Sequence, residues 1–219
     1  MKVLAIYGAG GLGREVLELA RIINRSEKRW DRLVFIDDGN VEAIVSGCEV
    51  YSYESAREEF KTNLEVIVGI GEPLTRKMIY EKLNKDCITT PNLIHPDVYI
   101  PESAKIGFGV IIQIGCFISC NVLINNYTYI HPHCNIGHDD ILDEGCMISG
   151  FCNIGGEVKI GKWTYLGLST AIKQTVKVGD YSIIGMGSVV LKDIPDEMIA
   201  LGNPARPMVR NTDKVVFKK

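Results

Sequence analysis

Every sixth residue from 94 to 190 is aliphatic: Ile94, Ile100, Ile106, Ile112, Ile118, Ile124, Ile130, Ile136, Leu142, Ile148, Ile154, Ile160, Leu166, Ile172, Val178, Ile184 and Val190. Four residues after each comes a second series, small throughout (Val98, Ala104, Val110, Cys116 and onward to Ser188) except for one charged member, Asp140. A strict period of six does not hold one face of an α-helix. It suits a β-helix, whose rungs are too short to bury an apolar side alone and must stack on the next. Three such faces close a triangular coil of eighteen residues, with residues eighteen apart stacking at roughly 4.8 Å. Cys116, Cys134 and Cys152 share that spacing and are expected to form an internal ladder of buried thiols. Gly follows the aliphatic residue at 107, 137, 155, 161, 167, 179 and 185, where a turn conformation that Cβ would obstruct is expected.

The pattern of the first ninety residues is different. Lys2–Tyr7 predicts a buried strand, residues 14–24 an amphipathic helix, Leu33–Ile36 a strand, Tyr53–Phe60 a helix, Glu65–Val68 a strand and Pro73–Leu83 a helix. The β-α-β-α-β-α order argues for a parallel sheet covered by helices. The predicted architecture is an α/β, Rossmann-like N-terminal domain (1–90), an all-β helical coil (91–193) and a closing segment with a tail (194–219). The basic tail from Lys214 to Lys219 is expected to be mobile.

Composition narrows the function classes. A net charge of −3 favours neither nucleic acid nor an anionic membrane. No stretch reaches the length of a membrane span. Seven Cys, an odd number, with no secretory segment at the start, point to a reducing, cytoplasmic setting.

Gly8-x-Gly10-x-x-Gly13 follows a strand and opens a helix, an arrangement that lets backbone N–H groups approach a phosphate. Asp37 and Asp38 end the second strand, where a carboxylate can accept ribose hydroxyls. Alone this would suggest NAD, but ninety residues supply one mononucleotide half rather than two. The bland alternative is that the glycines only make a tight turn.

Three of the four His lie in Ile130-His131-Pro132-His133-Cys134-Asn135-Ile136-Gly137-His138-Asp139-Asp140. His131 directly follows an inward aliphatic residue and is expected at a surface turn. His138 is third in its hexad and should point outward. Imidazole, with an unperturbed pKa near ~6.5, suits proton transfer at neutral pH. A neighbouring carboxylate would fix its tautomer.

The hexapeptide run resembles the hexapeptide-repeat transferases, in which the coil is a left-handed parallel β-helix and the protein a homotrimer with active sites between subunits. Together with the first domain, the Gly-rich turn, Phe35-Ile36-Asp37-Asp38, and Val68-Gly69-Ile70-Gly71 followed by Arg76 and Lys77, the chain resembles the bacterial sugar acetyltransferases. These include UDP-4-amino-sugar N-acetyltransferases and sialic acid O-acetyltransferases. The resemblance implies acetyl-CoA-dependent N-acetylation of a UDP-linked amino sugar for cell-surface glycans, with no metal. It assigns His138 and Asp139 to catalysis, with Asp140 in possible support. It assigns Gly8, Gly10, Gly11, Gly13, Asp37, Asp38, Gly69 and Gly71 to the nucleotide sugar. Met147, Gly155, Gly156, Gly185, Lys192 and Arg206 fall to acetyl-CoA, with N–H groups near Gly155 and Gly156 facing the thioester oxygen.

The chain departs from that pattern at Leu12 and Met147, where members often carry His. At Asp140 a small or apolar inward residue is expected. Burying a lone carboxylate is costly, so either its rung is distorted or Asp140 turns towards His138. Three rival functions stand beside N-acetylation. One is O-acetylation of a sialic-acid-like sugar. Another is a β-helix carbonic anhydrase with zinc on His133 and His138, for which the third ligand, at His95 or Asp97, is out of register. The last is a non-catalytic sugar-nucleotide scaffold.

Overall fold

The computed structural model describes residues 1–39 and 42–217. Lys218 and Lys219 of the basic tail lie outside the described residues. The chain divides into two compact units, Met1–Gly71 with Met78–Leu93, and Glu72–Lys77 with Ile94–Lys219.

In the first unit, the uninterrupted apolar run makes β1 (Val3–Tyr7), buried along its whole length. α1 (Gly11–Glu27) buries Val16, Leu17, Leu19, Ala20 and Ile23 at helical spacing. β2 (Arg32–Ile36), β3 (Ile44–Val45), β4 (Cys48–Tyr51), α2 (Tyr53–Phe60), β5 (Leu64–Val68) and α3 (Pro73–Lys85) follow. The strand order is β3-β4-β2-β1-β5. β1 pairs in parallel with β2 and β5, and β2 in parallel with β4. The β3–β4 hairpin was not expected. Its strands of two and four residues are too short to carry an alternating pattern.

In the second unit, two-residue strands recur every six residues from Lys105–Ile106 to Val189–Val190. They pair in parallel at a register of eighteen, as in Leu123↔Ile141 and Tyr129↔Met147, and form three sheets. This is the left-handed parallel β-helix of the hexapeptide repeat. The sixth-residue aliphatics fill its interior, buried from Ile112 to Val190 and partly buried at Ile94, Ile100 and Ile106. The small series closes the corners from within. Cys116, Cys134 and Cys152 are buried and donate to the carbonyls of His131, Ser149 and Gly167 at 3.1, 3.1 and 3.2 Å, and the Thr164 hydroxyl does the same to Gly179 at 2.7 Å. Each thus ties one coil to the next.

The glycines after the aliphatics have a different reason from the expected one. The left-handed backbone sits two residues later, at 109, 115, 121 and every sixth residue to 187, with φ between 53° and 73°. Ten of those fourteen sites carry side chains, among them His133, Asp139 and Glu157. Each non-Gly costs on the order of 1 kcal/mol, offset by the ladder it permits. The Gly after the aliphatic instead clears space for the next coil. A Cβ at Gly155 would meet Gln174 N at 2.7 Å, and one at Gly161 would meet Asp180 N at 2.6 Å.

Along the coil between Gly107 and Lys173, the residue after the inward aliphatic donates its N–H to the aliphatic one coil up. Examples are Asn125 to Leu142 (2.9 Å), His131 to Ile148 (2.9 Å), Gly155 to Ile172 (3.0 Å) and Gly167 to Ile184 (2.8 Å). Among the described residues Gly137 breaks this rule, and Ile136 and Ile154 are not paired in the ladder. The last strands, Met198–Gly202 and Ala205–Arg210, form an antiparallel hairpin that adds in parallel to Ile183–Ile184 and covers the end of that sheet.

Candidate active site

His138 lies at a corner of the coil, two residues past inward Ile136. Its side chain is 47 % exposed, and Nδ1 lies 2.8 Å from Asp139 Oδ2. The other Asp139 oxygen accepts from Asn121 Nδ2 at 3.0 Å, one coil below. Asp139 reaches this position because its backbone is left-handed (φ 60°). The hydrogen bond to Asp139 raises the imidazole pKa above its ordinary value, helped by the charges of Asp139, Glu157 and Asp140. The same bond, then that from Asn121, holds the Asp139 carboxyl below the usual range.

The ring occupies space left by a missing side chain. A Cβ on Gly156, one coil up, would fall 2.4 Å from His138 Nε2. Nε2 itself has no hydrogen-bond partner among the described residues. Glu157, one coil above Asp139, donates its N–H to the His138 carbonyl (2.8 Å), and Gln174 Nε2 donates to Glu157 Oε1 at 3.2 Å. Sequence reasoning missed Asn121 and Glu157. Both are eighteen residues from Asp139, so the coil period would have found them. A shallow depression of about 340 Å³ adjoins Asp139 and is lined by Ser103, Lys105, Asn121, Val122, Leu123 and Ile141.

Asp140 does not turn outward. It is fully buried, and its Oδ2 accepts the Gly137 N–H and its Oδ1 the Val158 N–H, both at 2.8 Å. The distortion expected at this rung takes that form: Gly137 bonds to a side chain instead of the ladder. Burial pushes the Asp140 carboxyl up to about 7, against the two N–H donors.

Of the other histidines, His95 and His131 are held by packing, and His133 is exposed. His131 is not a surface turn residue. It is half-buried, with its ring stacked on Tyr129 at 4.2 Å, and burial followed by the charge of Arg76 holds its pKa down to about 4. His133 stands over Gly115 and stacks on Phe151 at 5.1 Å. His95 is buried, with Nδ1 accepting the Asp97 N–H at 3.2 Å. Among the described residues no three or more His, Cys, Asp or Glu side chains are grouped to hold a metal ion.

The residues assigned to a coenzyme divide. Lys192 and Arg206 line one depression of about 380 Å³ with Asp193, Pro204 and Pro207. Gly155 cannot offer its N–H to an oxyanion, because Ile172 O already accepts it at 3.0 Å. Gly156 has no such bond. Gly185 donates to Ala200 O (2.8 Å). Met147 is buried in the eight-stranded sheet between Tyr129 and Tyr165 in register, out of reach of a ligand within this chain.

In the first unit, three glycines of the nucleotide set serve packing. A Cβ on Gly13 would lie 1.8 Å from Gly8 O, and one on Gly69 would lie 2.7 Å from Gly13 Cα; Gly8 has φ 104°. Gly10 and Gly11 are exposed, and no atom lies within 4 Å of where their Cβ would be, so their backbone is open to an approaching group. Gly10 caps α1 without a side-chain hydrogen bond, and the first turn holds no acidic residue. The N-terminus is thus polarised for an anion. Gly71 is half-buried and Leu12 sits half-buried in the first turn of α1. Asp37 accepts N–H groups of Ala9 (2.9 Å) and Gly39 (3.0 Å); Asp38 accepts the Tyr7 hydroxyl (2.5 Å) and the Tyr53 N–H (2.8 Å). Both brace the loop while keeping lone pairs for a ligand. Arg76 lies with the coil, fully buried, its guanidinium donating to the carbonyls of Gly145 (3.0 Å) and Tyr127.

No helix among the described residues is long and apolar enough to cross a membrane. The model of the PglD N-terminal domain matches residues 3–83. The acetyltransferase domain of PglB from Neisseria gonorrhoeae FA1090 is 29 % identical, with 95 % of this chain and 100 % of that one covered and a TM-score of 0.88. WeeI from Acinetobacter baumannii AYE is 25 % identical over 95 % and 100 %, with a TM-score of 0.88. A mutant of perosamine N-acetyltransferase from Caulobacter crescentus, in complex with CoA and GDP-perosamine, is 25 % identical over 95 % and 98 %, with a TM-score of 0.87. An acyl-[acyl-carrier-protein]–UDP-N-acetylglucosamine O-acyltransferase from Thiobacillus denitrificans is 32 % identical over 90 residues. The match spans about a third of the length of such curated relatives (35 %). The resemblance read from the sequence therefore holds at full length: the chain has the two-part build of the hexapeptide-repeat sugar acetyltransferases.

Proposed function

We propose that the chain is an acetyltransferase that moves an acetyl group from acetyl-CoA to the amine of a nucleotide-linked amino sugar, with His138 as general base. One observation carries this reading: an outward imidazole whose Nδ1 is fixed on Asp139 at 2.8 Å while Nε2 stands unbonded over Gly156. The neutral amine attacks the thioester carbon, and Nε2 takes the proton it loses as the C–N bond forms. Asp139 keeps the second proton on Nδ1 and stabilises the imidazolium. The Gly156 N–H is the donor suited to the oxygen that gains charge. The C–S bond then breaks, and the thiolate recovers the proton from Nε2.

The first unit would take the nucleotide sugar, its phosphates by the open backbone of Gly10 and Gly11 and its nucleoside by Asp37 and Asp38. Lys192 and Arg206 would meet the coenzyme phosphates. A homotrimer is the expected assembly, by the resemblance. UDP is the first nucleotide to try; GDP follows, because the similar perosamine N-acetyltransferase complex holds a GDP-sugar. The curated relatives transfer to oxygen, and the same base would serve a sugar hydroxyl. Thermal-shift screening of UDP-, GDP-, CMP- and dTDP-sugars, followed by turnover with acetyl-CoA, tests the reading. A stabilising amino-sugar nucleotide that is then acetylated supports it. Binding without transfer across amines and hydroxyls overturns it in favour of a scaffold.

A further inference from the structure

Asp140 is the one charged residue in the small inward series, and its place in the coil is unlike any other. Its neighbours in the internal column eighteen residues away are Val122 and Val158, both buried and apolar. The inward side chains of Cys116, Cys134, Cys152 and Thr164 donate to a carbonyl one coil up. Asp140 accepts instead, from two N–H groups on different coils. Gly137 immediately precedes His138, and Val158 immediately follows Glu157, the residue whose own N–H holds the His138 carbonyl. The ladder bond that Gly137 would have made to Ile154 is absent, while the equivalent residues from Gly107 to Lys173 all make theirs.

We propose that Asp140 is a positioning residue for His138: its buried carboxylate takes Gly137 out of the ladder, clips it to Val158 on the next coil, and so sets where the imidazole stands over Gly156. The inference rests on the reading of His138 as the general base. The geometry favours position over mere packing, because a small apolar or thiol side chain would satisfy the interior at lower cost. A buried carboxylate is expensive, and here both of its oxygens are spent on the backbone on either side of the site.

The carboxylate also adds negative charge behind the ring. The titratable groups facing His138 are Asp139, Glu157 and Asp140, with Asn121 and Gln174 as neutral partners of the first two. Removing Asp140 therefore lowers the affinity of the imidazole for its proton.

The test compares wild type, Asp140→Cys and Asp140→Asn with His138→Ala. Cys is the residue that four other rungs carry inward, at 116, 134, 146 and 152, so this variant keeps a coil-compatible side chain; Asn keeps the shape. Turnover at pH 8 and the midpoint of the His138 ring signal by NMR are measured on each folded variant. The expected result is a fall in kcat of roughly tenfold or more, the scale for groups that orient a reacting side chain. KM for both substrates should stay within about twofold of wild type, and the His138 midpoint should move to lower pH. An unchanged kcat with an unchanged midpoint overturns the proposal, and so does a lower melting temperature with both unchanged, which leaves Asp140 only a structural role. If His138→Ala retains activity, the general-base reading fails and this inference with it. If His138→Ala is inactive while Asp140→Cys matches wild type, only the inference fails.

Discussion

The His138 ring and the backbone of Gly156 share one space: a methyl group on Gly156 would lie 2.4 Å from Nε2 and 2.5 Å from Cε1. Gly156 has no left-handed torsion, so alanine is tolerated by its backbone, and the side chain that must give way is the imidazole. Gly156→Ala is therefore expected to fold and to lose turnover by about a hundredfold, the cost of misplacing a reacting group by an ångström. The check is kcat beside a melting curve. Wild-type turnover in a folded variant would show that the ring position is not used.

Asp139 bears on the pH dependence. Its bond raises the pKa of His138, and the base works only when unprotonated, so activity falls as pH drops through that raised value. In Asp139→Asn the midpoint moves to lower pH, and the acid limb of kcat/KM moves with it. An amide that can donate to Nδ1 also favours the wrong tautomer, lowering kcat by roughly a hundredfold or more. A pH–rate profile on both proteins reads both effects.

Asp140 has a signature in stability. Folded, it holds its proton up to about 7 because it is buried; unfolded, it releases it near ~3.9. Between those values the folded chain binds more protons, so raising the pH weakens the fold. The melting temperature of wild type relative to Asp140→Cys is expected to be highest at about pH 4 and to decline to about pH 7 and just above, then level off. A difference that does not vary with pH would contradict the burial of a titrating carboxyl.

The Gly-rich turn separates packing from binding. Gly13→Ala puts a Cβ 1.8 Å from Gly8 O, a backbone atom that cannot swing aside, and is expected to cost more than about 3 kcal/mol or to prevent folding of the first unit. Gly10→Ala meets no atom within 4 Å. It should fold and melt only a few degrees below wild type, the cost of a poorer N-cap, and weaken the nucleotide sugar by roughly tenfold, as a methyl group blocks close backbone approach. Melting curves with and without ligand distinguish the two.

The coil was legible because its period is written in every rung, and inward residues have no other place to go. The same logic placed His138 outward. The role of the glycines is not legible, because period alone does not say which position of the hexad turns left-handed; that site carries His, Asp, Glu and Trp as readily as Gly. His131 looked like a turn residue because its cover, Tyr129 on the outer side of the same rung, is invisible in a list of inward positions. Asp140 breaks the pattern and stands out in the sequence, but its partners are N–H groups of the backbone, which leave no trace in residue identity. The Asp37–Asp38 pair shows the same limit, since the hydrogen bonds that brace the loop come from Ala9, Gly39 and Tyr53 main chain.

The central claim is that an exposed imidazole at residue 138 accepts the proton of the acetyl acceptor. Release of free CoA from acetyl-CoA, with the amino-sugar nucleotide chosen by thermal shift, measures it directly for wild type and His138→Ala. The account predicts a folded variant, with an unchanged melting temperature and nucleotide-sugar affinity, that turns over at least roughly a hundredfold more slowly. Turnover of the variant within a few-fold of wild type would contradict it.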